Sequence, residues 1–490
     1  MAGVCQEGSF KDLSSQLAVE RVAEVEARSA GLRKELGLID LVLMQIMYVV
    51  GSGWVGTAAK LGSYHTVFWL LAIALYYLPQ AAVVIYLARL MPVEGGLYQW
   101  TTIGLGRFAG FMLAWNLWAY AVLIGATFGV TIATNAAYLL GGSNAPLSHV
   151  WWYTPIVSTL ALFLVTAISV LGLRVGRWVQ DVGGAAHVLT FAALLIVPLV
   201  AVAHGRAVSY RPLDVSAPAF TLYSLNIFGK MALGALSGFE YVAIMAGETR
   251  SASRAITRSV FLAAPIIALM FILGTDSVIA LVPRDRIDLV SPIPQTLSLG
   301  FERSGIAQLI VPALILLLLM RQLGVVTMLF NGNTRLPLVA GWDNLLPRWF
   351  TKLHPRFRTP VNSILFVSAI TIAFSLAGQA GVGVQEAFQL LENAAGILYA
   401  FAYLALFAIP IFGAANLERR PPMWLRLAAG SGFLVTLLYS TLSVFPIIDV
   451  ASWQKFAAKI IVVIVAANLV GVAIYFLSLR SRRAVDPGPP

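Results

Sequence analysis

Charged residues are scarce in this chain of 490 residues. Only 11% of the sequence is Asp, Glu, Lys or Arg and 59% is hydrophobic, whereas a typical soluble chain carries about 25% charged residues. So few charges cannot keep so large a surface in water, and most of that surface must therefore face lipid. Since a lipid-embedded backbone must pair its polar groups internally, long apolar runs predict an all-α membrane protein.

Cysteine and catalytic motifs are also lacking. The single cysteine, Cys5, excludes an intrachain disulfide and a cysteine metal site. No HExxH motif, phosphate loop, nucleophile elbow or paired metal-ligand spacing occurs, so we predict no catalytic residue, no cofactor and no metal. The polar residues 1–36 contain no apolar core before a cleavage site. We predict that they form a cytoplasmic N-terminal arm.

The net charge is +11, but the basic residues are scattered through short segments between apolar runs. Nucleic acid is therefore not a predicted partner, because it would need them gathered on one face. Twelve runs are apolar enough to predict membrane spans. They lie near 37–59, 65–90, 96–140, 150–172, 178–203, 222–248, 257–282, 305–334, 361–378, 386–413, 424–446 and 456–479. Because the third run is too long, we expect 91–105 to form a loop and a short interfacial helix.

Lysine and arginine are unevenly distributed between alternate connections. Of the 33 Lys and Arg residues, 23 lie in the N-terminal arm, in the connections on its side of the membrane or in the C-terminal tail. Eight lie on the opposite side, and Lys230 and Arg321 fall inside spans. Since Lys and Arg accumulate in cytoplasmic loops, we expect both termini to be cytoplasmic in the plasma membrane.

Two spans are interrupted by glycine-rich segments, the first at Gly51–Gly56 and the sixth at Gly234–Glu240. Interrupted helices at matching places in two halves are typical of transporters. The pattern predicts five-helix repeats at 37–203 and 222–413, of opposite orientation because five is odd. Helices at 424–479 would be accessory, and 480–490 would form a cytoplasmic tail.

An interrupted helix offers unpaired backbone groups to a ligand. The N–H groups and positive dipole end at residues 51–53 suit a substrate carboxylate, and carbonyls at 234–238 suit an ammonium. The alternative is that these glycines only let helices pack closely. The predicted substrate-binding residues are Gly51, Ser52, Gly53, Trp54, Ala235, Ser237, Gly238, Phe239 and Glu240.

Four motifs stand out in the sequence: Val50-Gly51-Ser52-Gly53, Pro92-Val93-Glu94-Gly95-Gly96-Leu97-Tyr98, Gly238-Phe239-Glu240 with Glu248, and the loop from Arg335 to Pro360. They resemble motifs of the amino acid–polyamine–organocation permeases, which have the leucine-transporter type of fold. Trp54 stands where the family usually has a smaller aliphatic residue. The segment Ala340-Gly341-Trp342-Asp343-Asn344 also departs from the family's loop sequence. The resemblance implies amino acid or amine transport by alternating access, driven by protons or by exchange.

Three polar residues inside spans are candidates for coupling. His187 occupies the fifth span, where by resemblance many members carry a lysine that replaces a sodium ion. It is either a proton carrier or a neutral interface residue. Arg321 either pairs with Glu240 or Glu392 or substitutes for a coupling cation, and Thr327 is a nearby hydroxyl. This poor set of oxygen ligands predicts sodium-independent transport.

The leading interpretation is a secondary active amino acid transporter that is proton-coupled or an exchanger. One alternative is a polyamine or organic-cation permease, although such a substrate would leave the N–H groups at 51–53 without an anion. Another is a channel or a nontransporting sensor on the same fold, but a channel needs a continuous polar stripe that the sequence lacks. The predicted partners are the substrate, protons and the lipid bilayer.

Overall fold

The computed structural model describes residues 37–91, 96–141, 146–171, 173–205, 210–238, 252–301, 307–339, 352, 354–355, 359–417 and 419–485. Within these ranges all regular secondary structure is helical, which confirms the predicted all-α class. The N-terminal arm and the predicted site residues Phe239 and Glu240 lie outside the described residues.

The α-helices of the described ranges are numbered here in chain order. They are α1 Leu38–Val49, α2 Ser52–Ala59, α3 His65–Ala72, α4 Leu78–Leu90, α5 Gly96–Leu105, α6 Arg107–Gly141, α7 Tyr153–Leu171, α8 Leu173–Ala203, α9 Leu222–Gly229, α10 Ala252–Leu281, α11 Pro292–Gly300, α12 Ala307–Val339, α13 Val361–Gln379, α14 Val384–Phe412, α15 Met423–Leu442 and α16 Trp453–Val485. A π-helical turn, Ile73–Tyr77, joins α3 to α4, and another, Lys230–Ala235, continues α9.

Ten helical segments of the described chain are long and apolar enough to cross a membrane. They correspond to the predicted spans other than the first and the sixth, which are the two interrupted ones. The count of twelve spans stays a prediction, because neither α1, α2 nor α9 is long enough alone. The short helix expected within 91–105 is α5. Helix α16 continues to Val485, six residues beyond the predicted end of the last span.

The distribution of apolar side chains fits a bundle surrounded by lipid. Phe261 is 70% exposed and Leu469 is 63% exposed, whereas the large aromatic residues Trp69, Trp100 and Tyr403 are buried inside. Exposure of so many apolar side chains to water would be unfavourable, whereas their contact with lipid hydrocarbon is not. The exterior is therefore the lipid-facing surface.

A proline explains the π-helical turn in the second span. Pro79 has no N–H to bond the carbonyl of Leu75, four residues earlier, and the Ser431 hydroxyl donates to that carbonyl instead, at 2.7 Å. Such turns widen the helix locally and change the direction of its side chains. Here Tyr76 lies in the turn and is fully buried.

Helices α8 and α12 pack closely against each other near the middle of the bundle. A Cβ on Gly183 of α8 would lie 3.3 Å from the Arg321 Cα of α12. The glycine allows this approach because it has no side chain. The contact fixes Arg321 in the interior, where its side chain is 5% exposed.

Candidate functional site

The first interruption is shorter than predicted. Helix α1 ends at Val49, Val50 and Gly51 have non-helical ψ angles of 86° and 141°, and α2 begins at Ser52. The predicted break at Gly51–Gly56 is therefore too long, since everything from Ser52 to Gly56 is helical. Two extended residues are enough to separate the helices. The first N–H groups of α2 remain without intrahelical partners, which is what a carboxylate site needs.

The second interruption follows the π-helical turn. The helix ends at Leu236, and Gly238 has a φ of +109°, in the left-handed region that favours glycine. Its N–H donates to the Tyr403 hydroxyl at 2.9 Å, and the Ser237 and Tyr76 hydroxyls lie 2.7 Å apart in a hydrogen bond. This end of the helix presents carbonyl groups and therefore partial negative charge.

The Trp54 side chain contacts both interruptions. A Cβ on Gly234 would overlap the indole at Cη2 and lie 2.7 Å from its Cζ3, and a Cβ on Gly51 would lie 2.6 Å from its Cδ1. Real Cβ atoms essentially never come that close to another atom, so only glycine fits at both positions. The indole thus packs against both the N-terminal end of α2 and the π-helical turn.

The end of the site toward Lys60 is covered by a loop and by α14. A Cβ on Gly53 would lie 3.8 Å from both the Leu289 carbonyl oxygen and Phe388 Cζ. The loop is held by Asp288, whose carboxylate accepts from the Tyr138 hydroxyl at 2.9 Å. Burial raises the pKa of the Asp288 carboxyl, although the hydrogen bond from Tyr138 opposes this shift.

A polar cavity of about 840 Å³ lies at the same end of the bundle. Its lining includes Lys60, Arg284, Asp285, Gln385 and Asp449. Burial lowers the pKa of Lys60, and the nearby Arg284 lowers it further. We call this cavity the vestibule, because it lies at the end where the Leu289 carbonyl and Phe388 cover the interruptions.

Arg321 lies at the first interruption. Its Nη2 donates to the Val50 carbonyl at 2.8 Å, and its Nη1 lies 3.5 Å from the Ser52 hydroxyl. Of the two acids suggested from the sequence as its partner, Glu392 forms no ion pair with Arg321 within 4.0 Å, and the charged group that acts on Glu392 is Lys230. The alternative partner, Glu240, lies outside the described residues. The guanidinium binds the C-terminal end of α1, where carbonyl groups favour a cation.

The sequence matches the amino acid permease family model over residues 36–466. The chain belongs to the amino acid permease family. This confirms the resemblance to the amino acid–polyamine–organocation superfamily and makes the protein a transporter of that type.

Relatives of the permease include transporters with different substrates in their names. An uncharacterized transporter of Legionella pneumophila is 25% identical over 77% of this chain and 81% of its own length. The branched-chain amino acid permease of Bacillus subtilis is 22% identical over 75% of this chain and 81% of its own. A cationic amino acid transporter of Arabidopsis thaliana is 25% identical over 75% of this chain and 65% of its own length.

The two other coupling candidates of the permease are buried. His187 has no exposed surface, its ring lies 4.9 Å from that of Phe191, and neither ring nitrogen has a hydrogen-bond partner in the described part of the chain. Arg321 is near enough to act on it electrostatically. Thr327 is also buried, about 9 Å farther along α12 at the usual helical rise. The structure thus brings His187 to Arg321 but places Thr327 elsewhere.

Three aromatic residues of the permease site were not predicted from the sequence. Tyr76 and Tyr403 bind the second interruption, and Phe388 borders the first. The only available signal was the spacing of Phe388, Tyr399 and Tyr403 along one face of α14. An aromatic row in a membrane helix usually indicates packing, so spacing alone does not identify a binding site.

Proposed function

We propose that the permease is a secondary active transporter that moves amino acids by alternating access without sodium. The observation that carries this proposal is the meeting of two helix ends of opposite polarity at Trp54, Gly51 and Gly234. Both ends belong to interrupted spans, and irregular backbone at this depth is tolerated only where it is buried or lines a cavity.

The polarity of the two ends matches an amino acid. The free N–H groups at the start of α2 favour the α-carboxylate, and the carbonyl end at Leu236–Gly238 favours the α-ammonium. A cation without a carboxylate would leave the N–H groups unpaired, and unpaired buried donors cost about 1–3 kcal/mol. Amino acids therefore fit this arrangement better than polyamines.

Sodium independence is supported by the position of Arg321. Its guanidinium already supplies a positive charge to the Val50 carbonyl, at the end of α1 where a coupling cation would also be stabilised. A second cation beside it would be repelled strongly in a medium of low dielectric constant. The proton or a counter-substrate then remains as the coupling partner, and a proton-carrying role for His187 stays a prediction.

Uptake by purified protein in liposomes tests this function. We expect saturable uptake of one or more of the twenty amino acids, faster when the vesicles are preloaded with the same amino acid. An imposed sodium gradient should add nothing. Accumulation driven by sodium alone would refute the proposed coupling, and flux that does not saturate would indicate a channel.

We also propose that both termini of the permease are cytoplasmic. This rests on the excess of Lys and Arg on the N-terminal side. The structure offers exposed positions in loops that are predicted to lie on opposite sides. Asp285, near the vestibule, is 79% exposed, and Arg420, between α14 and α15, is also exposed.

Single cysteines at these positions, in a Cys5→Ser background, test the orientation. Asp285→Cys should react with a membrane-impermeant maleimide added to intact cells, because we place it outside. Arg420→Cys should react only after the cells are permeabilised. Labelling of the Arg420→Cys variant in intact cells would reverse the proposed orientation.

A further inference from the structure

Two oppositely charged side chains inside the bundle have no role in the site described so far. Lys230 begins the π-helical turn and is 3% exposed, and its ammonium donates to the Asn393 side-chain carbonyl on α14. Glu392 precedes Asn393, and Lys230 is the charged group that acts on it. Charges at this depth are costly and usually functional.

The pair borders the proposed substrate site. Glu392 is four residues after Phe388 and eleven before Tyr403, which places all three within about 60° on one face of α14 at 100° per residue. Phe388 borders Gly53, and Tyr403 binds the N–H of Gly238. Lys230 precedes Gly234 by about one turn. Glu392 therefore lies between the contacts that α14 makes with the two interruptions.

Glu392 differs from Asp276, a buried carboxyl group near the C-terminal end of α10. Both carboxylate oxygens of Asp276 are bound, one to His65 Nε2 at 2.9 Å and the other to the Leu213 N–H at 3.2 Å. Within the part of the chain that the structure describes, Glu392 makes neither a hydrogen bond nor an ion pair within 4.0 Å, and it keeps some exposed surface. Asp276 is thus a structural group, whereas Glu392 is free to change its protonation.

We infer that Glu392 is the residue that binds and releases the transported proton, with Lys230 as its counter-ion. The inference rests on the proposed function. When the interrupted helix carries Lys230 toward α14, the ammonium stabilises the carboxylate and the proton leaves to water. When Lys230 moves away, a proton from water on the other side binds a carboxylate oxygen, because an unpaired carboxylate is costly in the membrane.

The other titratable groups that the structure describes near Glu392 do not compete for this proton. Tyr439 on α15 is close enough for Glu392 to act on it electrostatically, and Tyr120 on α6 stacks on Tyr399 at 4.3 Å. Phenols titrate far above neutral pH. His187 is less suited, because a proton on its ring would face the Arg321 guanidinium, and no carboxylate of the described residues acts on it.

The test compares acid-driven accumulation with exchange in liposomes. A gradient of one pH unit supports about tenfold accumulation when one proton moves with each substrate. We expect Glu392→Gln to lose this accumulation while keeping exchange of labelled for unlabelled substrate. The double variant Lys230→Met/Glu392→Gln should likewise lose accumulation and keep exchange. Its thermal unfolding shows whether the fold survives the removal of both charges. Glu386→Gln, in the first turn of the same helix, is the matched control.

The outcomes separate this inference from the proposed function. If the wild-type protein takes up no amino acid, the proposed function fails. If it does, and Glu392→Gln still accumulates substrate under the acid gradient, only the role of Glu392 is refuted. Loss of accumulation in His187→Ala with retention in Glu392→Gln would assign the proton to His187 instead. A trapped pH dye should record proton entry with substrate in the wild type and none in Glu392→Gln.

Discussion

Arg321→Leu is expected to abolish substrate uptake without preventing membrane insertion. The substitution leaves the Val50 carbonyl and the end of α1 without their cation. A hydrogen bond from a charged group contributes about 1.5–3 kcal/mol, so the equilibrium that holds the first interruption in place should shift by roughly 10- to 100-fold. Uptake into liposomes and thermal unfolding of the purified protein are the measurements.

Two further variants at this position separate charge from shape. Arg321→Lys keeps a positive charge but loses the planar guanidinium that reaches Val50 and Ser52 together, so we expect partial uptake. Arg321→Gln keeps a donor without the charge and should resemble Arg321→Leu. If Arg321→Gln transports like the wild type at an unchanged unfolding temperature, the guanidinium has no electrostatic role. Restoration of Arg321→Leu by sodium would show that the site can also hold a metal cation.

Gly234→Ala is expected to lose substrate binding although it adds only one methyl group. The new Cβ would overlap the Trp54 indole, and overpacking of this kind costs about 1–3 kcal/mol. Either the indole or the π-helical turn must move, and both border the proposed substrate site. Binding can be followed as the shift in unfolding temperature produced by the transported amino acid.

The remaining glycines supply the controls for this prediction. Gly430→Ala meets no atom within 4 Å and should bind substrate like the wild type. Gly53→Ala makes only ordinary contacts at 3.8 Å and should fold normally, whereas Gly53→Leu should fill the carboxylate site and prevent binding. In the Trp54→Val background the clash is relieved, so adding Gly234→Ala should cost less stability there than it does in the wild type. Full substrate binding by Gly234→Ala alone would contradict the proposed role of the Trp54 contact.

Much of the architecture could be predicted because the bilayer imposes strict requirements on a sequence. Runs of about 20 apolar residues are needed to cross it, and ten of the runs predicted from the sequence are helices long enough to do so. Glycine clusters located both interruptions, although the first proved shorter than expected. The family motifs, such as Val50-Gly51-Ser52-Gly53, identified the class of transporter, which the family match confirms.

Partners across the bundle were decided only by tertiary structure. Arg321 binds the Val50 carbonyl, 271 residues away in the sequence, and Lys230 meets Asn393 rather than a neighbour in the chain. Sequence shows that a buried charge needs a partner, but helix packing selects it, since for Arg321 both Glu240 and Glu392 were candidates. The same holds for Trp54, whose departure from the family residue was visible in the sequence. Only the close approach of α2 to the π-helical turn showed that its indole packs against both interruptions.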